Sequence, residues 1–342
     1  MGSPCTPSQA VGLRDADHLR PVATHGRTVI ILDYLQLLLG FALLVAGGEA
    51  LVRGAVSVAA KFGVSPLLIG LTLVGFGTST PELVTSLQAA WSGFPGIAVG
   101  NVVGSNLANI LLILGAAAVI APMAIDQVAF RRDGMALAVA TALAVGVILL
   151  GVLDRWMGGV LLAALIAYIW IAYKTDVALP SNDDGEDAAA TATSVWPALA
   201  LAVGGIALTV FGARLTVDAA VTLALLWGMS ETVVGLTVVA VGTSLPELIT
   251  SVMAALRRES DLAFGNIIGS NIYNILGIMG VTALVHPIPI PPQIAQFDVW
   301  VMVAATLALI FAVLAWRRIG RGTGLVFLGA YAAYTGWLIA GI

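Results

Sequence analysis

Long apolar runs separated by short polar connections make up most of the chain. A helix needs roughly 20 apolar residues to cross about 30 Å of hydrocarbon, and no stretch shows the polar–apolar alternation of a membrane β-barrel strand. Ten runs are long enough, at residues 33–60, 63–91, 96–120, 131–151, 155–173, 196–226, 229–256, 261–284, 297–316 and 322–341. The pattern predicts an all-α integral membrane protein with ten transmembrane helices.

Composition makes the same case for a lipid environment. Of 342 residues, 59% are hydrophobic and only 10% are charged, and the mean hydropathy is +1.01. Soluble domains carry about 25% charged residues, so we expect a lipid bilayer to cover most of this surface. The net charge of −4 argues against a nucleic-acid partner, and nothing in the sequence indicates a protein partner or a cofactor.

A polar segment divides the ten runs into two sets of five. Residues 174–195 hold an acidic cluster, Asp183, Asp184, Glu186 and Asp187, which lacks the ligand spacing of a calcium-sensing loop. We predict a disordered tail at 1–28, a first five-helix repeat at 29–173, a solvated linker at 174–195 and a second five-helix repeat at 196–342.

The basic residues predict an orientation. If successive connections alternate between the two membrane faces, one face receives Lys61, Arg131, Arg132, Lys174, Arg257, Arg258, Arg317, Arg318 and Arg321, and the other receives only Arg155 and Arg14, Arg20 and Arg27 of the tail. The excess of positive charge marks the cytoplasmic face. We therefore expect a plasma (inner) membrane protein with both termini extracellular or periplasmic and the acidic linker cytoplasmic.

The two halves contain one repeated sequence. Residues 70–122 and 235–287 align without a gap at an offset of 165, and 27 of the 53 positions are identical. The shared positions include polar and helix-breaking residues, which apolar helices do not share by chance. Because each half has an odd number of spans, the second copy should enter the membrane from the opposite face. This arrangement is the inverted repeat of secondary transporters, whose site lies near the midplane.

The first repeated motif places a carboxylate beside a helix break. It reads Gly-Thr-Ser-x-Pro-Glu and ends at Glu82 in the first copy and at Glu247 in the second. Proline removes a backbone donor and clashes with the preceding turn, so each helix should kink and free carbonyl oxygens around Gly75 to Thr78 and Ala240 to Thr243. A carboxylate at bilayer depth costs about 3 kcal/mol or more, which a bound cation or protons would offset. The alternative is a protonated glutamate that only joins helices.

The second repeated motif supplies hydroxyls and amides. It reads Gly-Asn-x-x-Gly-Ser-Asn-x-x-Asn, and in each copy its serine and last asparagine share one helix face. Those four side chains are the better ligand candidates: Ser105, Asn109, Ser270 and Asn274. For Asn101, Asn106, Asn266 and Asn271, hydrogen bonding between closely packed helices is at least as good an interpretation as ligation.

All of these candidate ligands are oxygen atoms. The sequence has one cysteine, and its three histidines lie outside the predicted spans, so zinc and copper are disfavoured. Magnesium prefers strict octahedra and sheds water reluctantly, whereas Ca²⁺ and Na⁺ accept a cage of many oxygens. The sequence thus favours Ca²⁺ or Na⁺ as the bound ion.

The paired motifs resemble those of the calcium/cation antiporter family, which includes the sodium/calcium exchangers. The resemblance covers both repeats and, more loosely, all ten spans. It implies that Glu82 and Glu247 share a calcium ion with the backbone carbonyls of Thr78 and Thr243. It also implies adjacent sodium sites formed by Gly75, Ser79, Ser105, Asn109, Ala240, Ser244 and Ser270. The first and sixth helices would slide across the rest of the protein to alternate access.

One position departs from the family pattern. Several relatives carry aspartate where this chain has Asn274, so both repeats here end in asparagine. The glutamates then give the site a formal charge of −2, which one Ca²⁺, two Na⁺ or two H⁺ would balance. The sequence leaves the coupling ion open.

Two acid–base pairs also stand at repeat-related positions. The offset pairs Glu49 with Arg214 and Arg53 with Asp218. On each of the two helices, the acid and the base are four residues apart, so an ion pair within each helix is one interpretation. The other is cross-pairing that joins the first and sixth helices.

The sequence therefore predicts an antiporter that exchanges Ca²⁺ for Na⁺ or H⁺ by alternating access. A passive cation channel and an antiporter for another divalent cation are the alternatives. An enzyme is not expected, because the chain has no His-Glu-x-x-His motif and no histidine in a span to activate a nucleophile.

Overall fold

The structure is a computed structural model, and it describes residues 20–177, 194–228 and 240–340. In the first half the helices are α1 (Arg20–Phe62), α2 (Pro66–Ile69), α3 (Gly75–Thr78), α4 (Thr80–Trp91), α5 (Pro95–Leu107), α6 (Leu114–Ile120), α7 (Gln127–Leu149) and α8 (Arg155–Val177). In the second half they are α9 (Trp196–Leu226), α10 (Ala240–Thr243), α11 (Leu245–Leu256), α12 (Ser260–Ile272), α13 (Met279–Val285), α14 (Val299–Trp316) and α15 (Arg321–Ala340).

Short π-helical segments and two-residue strands complete the described chain. The π-helical segments are Gly70–Val74, Ala108–Ile113, Tyr273–Ile278 and Ile294–Asp298. The strands are β1 (Met123–Ala124), β2 (Val152–Leu153), β3 (Ile288–Pro289) and β4 (Arg318–Ile319). The π-helical segments continue directly into α-helices, so α5 and α6 form one span, as do α12 and α13.

The helices confirm the prediction of a helical membrane protein, but they do not confirm the number of ten spans. Within the described ranges, eight helices are long and apolar enough to cross a membrane, and a bent pair, Pro66–Thr78 with Thr80–Trp91, makes a ninth if it is counted as one span. The expected span at 229–256 lies partly outside the described residues, and α10 and α11 are its described part. Ten spans remain a prediction.

Two predicted boundaries need correction. The helix α1 begins at Arg20, so the tail predicted to be disordered at 1–28 is helical from residue 20. Proline is tolerated in a first helical turn, and a helix nucleated by the apolar run extends at little cost. At the other boundary, α8 continues to Val177, past the linker start predicted at 174. Its last turn is held by Ser65, whose backbone N–H and hydroxyl donate to the Asp176 carboxylate at 2.8 and 2.5 Å.

The two long helices α1 and α9 pack against each other in antiparallel fashion. Gly40 faces Thr216, Gly47 faces Thr209, and Gly54 faces Ala202. A Cβ added to Gly47 would lie 2.6 Å from the Thr209 backbone nitrogen, so the backbones approach as closely as in small-residue membrane interfaces.

Contacts at the two ends of the helices also repeat between the halves. The strand β1 pairs with β4, and β2 pairs with β3, both antiparallel. Each pair joins a connection in one half to a connection in the other. The N-terminal end of α2 reaches Asp176 at the end of α8, and Lys61 donates to the Ser194 carbonyl. In these contacts, each connection between spans touches only connections that lie at the same end of the helix bundle.

The cross-pairing of α1 and α9 is wrong in this structure. Glu49 binds Arg53 on its own helix, with Nε–Oε1 at 2.5 Å, and Arg257 at the end of α11, with Nε–Oε2 at 2.9 Å. Among the described residues, Arg214 and Asp218 form no ion pair with either α1 residue. The local interpretation holds for α1, where the four-residue spacing places both side chains on one face.

Candidate cation site

Each repeat breaks its second helix one turn before the glutamate. In the first copy the bend between the two arms is 44°. The break falls at Ser79, with φ −82° and ψ 9°, and at Ser244, with φ −91° and ψ 9°. Both conformations lie outside the helical region. The prolines sit at the start of the following helix, where they are tolerated. The predicted kink is confirmed in the first copy by the 44° bend, and the second copy has the same backbone break at Ser244.

The glutamates bond across the repeats through the serines at these breaks. The Ser79 hydroxyl donates to Glu247 Oε1 at 2.8 Å, and the Ser244 hydroxyl donates to Glu82 Oε1 at 3.2 Å. Each carboxylate is 1% exposed. The second oxygen of each, Oε2, has no hydrogen-bond partner among the described residues. The breaks thus bring two buried carboxylates into one site, each with a free acceptor.

An asparagine of the second motif holds the backbone of each glutamate. The Asn101 amide donates to the Glu82 carbonyl at 3.0 Å and to the Ser86 hydroxyl at 2.9 Å. In the second copy, Asn266 donates to the Glu247 carbonyl at 3.4 Å and to Ser251 at 2.8 Å. Asn101 and Asn266 are therefore positioning residues. Sequence reasoning missed Ser86 and Ser251, although both are identical in the repeat and lie four residues after the glutamates.

The last asparagines of the motif lie in matched π-helical segments. Asn109 belongs to Ala108–Ile113, which packs against α11 of the other half, and Asn274 belongs to Tyr273–Ile278, which packs against α4. Each side chain is 1% exposed. Neither amide has a hydrogen-bond partner for its oxygen or its nitrogen among the described residues. Buried polar atoms of this kind normally have partners, so these two amides are the unusual polar groups of the two segments.

The remaining candidate residues lie around the same breaks. Thr78 is fully buried, and its hydroxyl donates to the Val74 carbonyl at 3.0 Å and reaches Asn266 Oδ1 at 3.3 Å. The Gly75 carbonyl accepts from the Ser79 backbone N–H and from the Ser270 hydroxyl, at 3.2 and 3.3 Å. Its lone pairs are thus already engaged, although a free carbonyl was expected there. Ser105 is buried in α5, while Ala240 begins α10 and Thr243 ends it.

The chemistry of this pocket suits a hard cation. The described residues contain no group of three or more His, Cys, Asp or Glu side chains arranged for a metal, so the site is one of two carboxylates with hydroxyls and amides. Burying two ionised carboxylates side by side is unfavourable unless a positive charge joins them. No lysine or arginine whose side chain the structure describes is buried. A calcium ion or sodium ions would satisfy the free oxygens.

The chain is similar in sequence to known ion exchangers. Residues 32–174 and 197–340 match the family described as "Sodium/calcium exchanger protein". The chain is 39% identical over 304 residues to the putative antiporter CaxA of Alkalimonas amylolytica, covering 87% of this chain and 95% of that protein. It is 32% identical over 343 residues to the sodium/calcium exchanger MaX1 of Methanosarcina acetivorans, covering 90% and 98%.

Other relatives support the membrane location and the fold. The inner membrane protein YrbG of Escherichia coli is 35% identical over 325 residues, covering 90% of this chain and 97% of that protein. A structure of the sodium-calcium exchanger NCX_Mj superposes with a TM-score of 0.79 at 34% identity, covering 89% of this chain and 98% of the other. The family model matches both halves of the chain, and the alignments with MaX1 and NCX_Mj cover nearly the whole length of those proteins. The chain is therefore a membrane transporter that belongs to the sodium/calcium exchanger family.

Proposed function

We propose that the protein is a secondary antiporter that exchanges Ca²⁺ for Na⁺ or H⁺, with Glu82 and Glu247 binding the cation near the membrane midplane. The observation that carries the proposal is the reciprocal pair of hydrogen bonds, Ser79 to Glu247 and Ser244 to Glu82. These bonds hold one oxygen of each buried carboxylate, and the other oxygen stays available to a shared ion.

The other proposed ligands are those that the resemblance to the exchanger family implies. Thr78 and Thr243 would contribute backbone carbonyls to calcium, since each ends the short helix directly before its break. Adjacent monovalent-ion sites would use the paired serines and asparagines, with the backbone at the second break: Ser79, Ser105, Asn109, Ala240, Ser244, Ser270 and Asn274. The unpartnered amides of Asn109 and Asn274 support this role.

The proposed topology is two inverted five-helix repeats, at 29–173 and 196–342, in the plasma (inner) membrane. The separation of the connections into two groups supports the alternation of successive spans between faces. With the excess of basic residues on the cytoplasmic face, both termini would lie outside and the acidic linker inside. Alternating access would come from movement of α1 and α9 as one unit, because their backbones interlock along their length.

A passive channel is the competing function, and an antiporter for another divalent cation is the second alternative. Purified protein in liposomes distinguishes them when calcium entry is followed with sodium and proton gradients imposed separately. An antiporter moves calcium against its gradient when the coupling ion flows the other way. A channel follows the calcium gradient alone and ignores the opposing ion.

Two matched variants tie the flux to the site. Glu82→Gln and Glu247→Gln each remove one of the two charges that balance calcium, so we expect each to abolish exchange. Competition by Sr²⁺, Mn²⁺ and Mg²⁺ tests the identity of the divalent cation, and calcium should compete best. Calcium flux that persists in both variants would show that transport does not require the glutamates.

A further inference from the structure

We propose that a basic cavity at the connection between α14 and α15 binds the phosphate group of an anionic phospholipid. The cavity has a volume of about 480 Å³. It lies away from the helix breaks, where the chain passes from Trp316 at the end of α14 to Arg321 at the start of α15. The inference goes beyond the proposed function and does not depend on which ions the protein exchanges.

Both halves of the chain form the wall of this cavity. Pro122 comes from the connection after α6, and the rest of the lining comes from the connection between α14 and α15 and the first turn of α15. The pairing of β1 with β4 joins the two connections, with Ala124 opposite Arg318. Arg321 adds a second link, because its Nε donates to the Val119 carbonyl at 3.1 Å. A ligand that fills the cavity would therefore contact both repeats.

Two arginines give the cavity its positive charge. Arg318 and Arg321 both line it, and both are exposed. Within the described residues, the Arg318 side chain has no hydrogen bond or ion pair, and Arg321 uses only its Nε. No acidic side chain is among the described residues that line the cavity. The free guanidinium donors match the oxygens of a phosphate group, which arginine binds through two parallel hydrogen bonds.

The start of α15 borders the same cavity. Gly320, Gly322 and Thr323 belong to its lining. A Cβ on either glycine would meet no heavy atom within 4 Å, so the first turn of this 20-residue helix faces open space. The first N–H groups of a helix have no partner within the helix and carry partial positive charge, so they suit a phosphate. The helix start and the two arginines together favour an anion.

The surroundings of the cavity favour a lipid over a soluble phosphate. Trp316 lines the cavity with an exposed indole, which meets the Phe311 ring edge-on with 6.0 Å between centroids. Phe311, Leu325 and Val326 are exposed on α14 and α15, where acyl chains would cover them. Tryptophan is enriched at the level of lipid headgroups. Basic pockets between membrane helices at the cytoplasmic face, where the proposed topology puts this connection, bind anionic headgroups.

The equivalent connection of the first half provides an internal comparison. A cavity of about 220 Å³ lies between α7 and α8, and its described lining is apolar, with Leu150, Trp156 and Met157 among it. Asp154 directly precedes α8 as Gly320 directly precedes α15, and the carbonyl of each accepts from the N–H four residues later. Both repeats therefore have a cavity at this connection, but that of the first half is apolar and that of the second half is basic.

Purified protein in detergent tests the proposal with defined lipids. Native mass spectrometry counts the bound lipid molecules and measures their affinity, and thermal unfolding reports the stabilisation. We expect phosphatidylglycerol to bind and to raise the melting temperature, because it would join the two repeats. Phosphatidylcholine, which has no net charge, should bind more weakly. Inorganic phosphate has the charged group without the chains, and it should not raise the melting temperature.

Two substitutions change the cavity in different ways. Arg318→Gln removes one positive charge and should lower the affinity for phosphatidylglycerol about fivefold. Gly320→Asp adds a carboxylate where the first half has Asp154, and it should abolish binding by repelling the phosphate. This variant should still fold, because aspartate is favoured directly before a helix and the Cβ meets open space. Arg317→Gln is the matched control, since Arg317 is an exposed neighbour outside the lining, and its affinity should stay near that of the unmodified protein.

The outcomes separate a built site from general attraction to a positive surface. Equal losses of affinity in Arg317→Gln and Arg318→Gln would overturn the proposal, because any positive charge at this connection would then suffice. Unchanged phosphatidylglycerol binding in Gly320→Asp would place the lipid elsewhere on the protein. Stabilisation by inorganic phosphate equal to that by phosphatidylglycerol would show that the ligand is a soluble anion and not a lipid.

Discussion

At the scale of single residues, Ser79 and Ser244 connect each carboxylate to the opposite repeat. A hydrogen bond to a charged group contributes about 1.5–3 kcal/mol. We therefore predict that Ser79→Ala weakens calcium binding roughly 10- to 100-fold, since Glu247 Oε1 then loses its 2.8 Å donor. The calcium dependence of exchange in liposomes measures the effect.

Thr80 supplies the control for this substitution. It lies one residue away in the same break, is exposed, and donates only to the Phe76 carbonyl at 3.3 Å among the described residues. Thr80→Ala should leave the calcium affinity unchanged. Equal losses in Ser79→Ala and Thr80→Ala would indicate damage to the helix break and not loss of a carboxylate partner.

The sequence identified which residues lie at the two helix breaks better than it identified their hydrogen-bond partners. Repeat identity selected Glu82, Ser79 and Asn109 because polar and helix-breaking residues were shared at matched positions. It could not show that Ser79 serves the glutamate of the other repeat, since that pairing depends on how two distant helices cross. It also gave no reason to expect that the Gly75 carbonyl would be engaged by the Ser270 hydroxyl.

At the scale of elements, apolar length was a reliable guide to the spans. The predicted runs at 131–151 and 196–226 match the helices Phe130–Leu149 and Trp196–Leu226 within two residues. The proline of the first motif predicted the bend that the structure shows at Ser79. The π-helical segments were not predicted. One extra residue rotates the side chains that follow it, but the spans Gly96–Ile120 and Ser260–Val285 are apolar and mostly buried, so they have no single apolar face in which the rotation would be seen. Helix ends such as Val177 depended on a tertiary contact with Ser65.

The interface between α1 and α9 makes a prediction about packing. A methyl group on Gly205 would overlap the backbone of Leu51, so Gly205→Ala must separate the two helices. Overpacking of this kind costs about 1–3 kcal/mol. We expect a lower melting temperature and reduced exchange, measured by a thermal unfolding assay in detergent and by calcium flux in liposomes.

The preceding glycine is a matched control. A Cβ on Gly204 would meet no heavy atom within 4 Å, so Gly204→Ala should leave both measurements near those of the unmodified protein. If the two variants behave alike, helix propensity and not close packing explains the result, and the two helices need not move as one unit.

The ion pair between Glu49 and Arg257 links α1 to the end of α11. It was not predicted, because the two residues are 208 positions apart. Partly exposed pairs contribute about 0.2–1 kcal/mol, enough to shift a conformational population by up to about fivefold. If α1 moves along α11 during transport, Arg257→Gln should reduce the population of the described conformation.

Spin labels at Ala60 on α1 and Leu256 on α11, both exposed, would report that population as a distance distribution. Arg258→Gln is the control, because Arg258 is an exposed neighbour whose side chain makes no ion pair with the described residues. The same distribution in Arg257→Gln as in Arg258→Gln would mean that the pair does not hold α1.

At the scale of the whole molecule, a cation shared by both repeats should stabilise the fold. A ligand at 100 times its dissociation constant contributes about 2.7 kcal/mol to the free energy of unfolding. We predict that calcium raises the melting temperature of the purified protein and that Glu82→Gln abolishes the increase. Asp298→Asn removes a buried carboxylate outside the site, and it should retain the calcium-dependent increase even if its starting temperature is lower.

The inverted repeat itself is open to a labelling test. The chain has one cysteine, Cys5, so Cys5→Ser gives a background without thiols. Ser92 follows α4 and Arg258 follows α11, at equivalent ends of the two repeats, and both are exposed.

Because five spans separate the copies, a thiol in Ser92→Cys should react with a membrane-impermeant maleimide from outside the cell. A thiol in Arg258→Cys should react only after the membrane is opened. Labelling of both from the same side would contradict the inverted topology, since equivalent helix ends would then face one compartment.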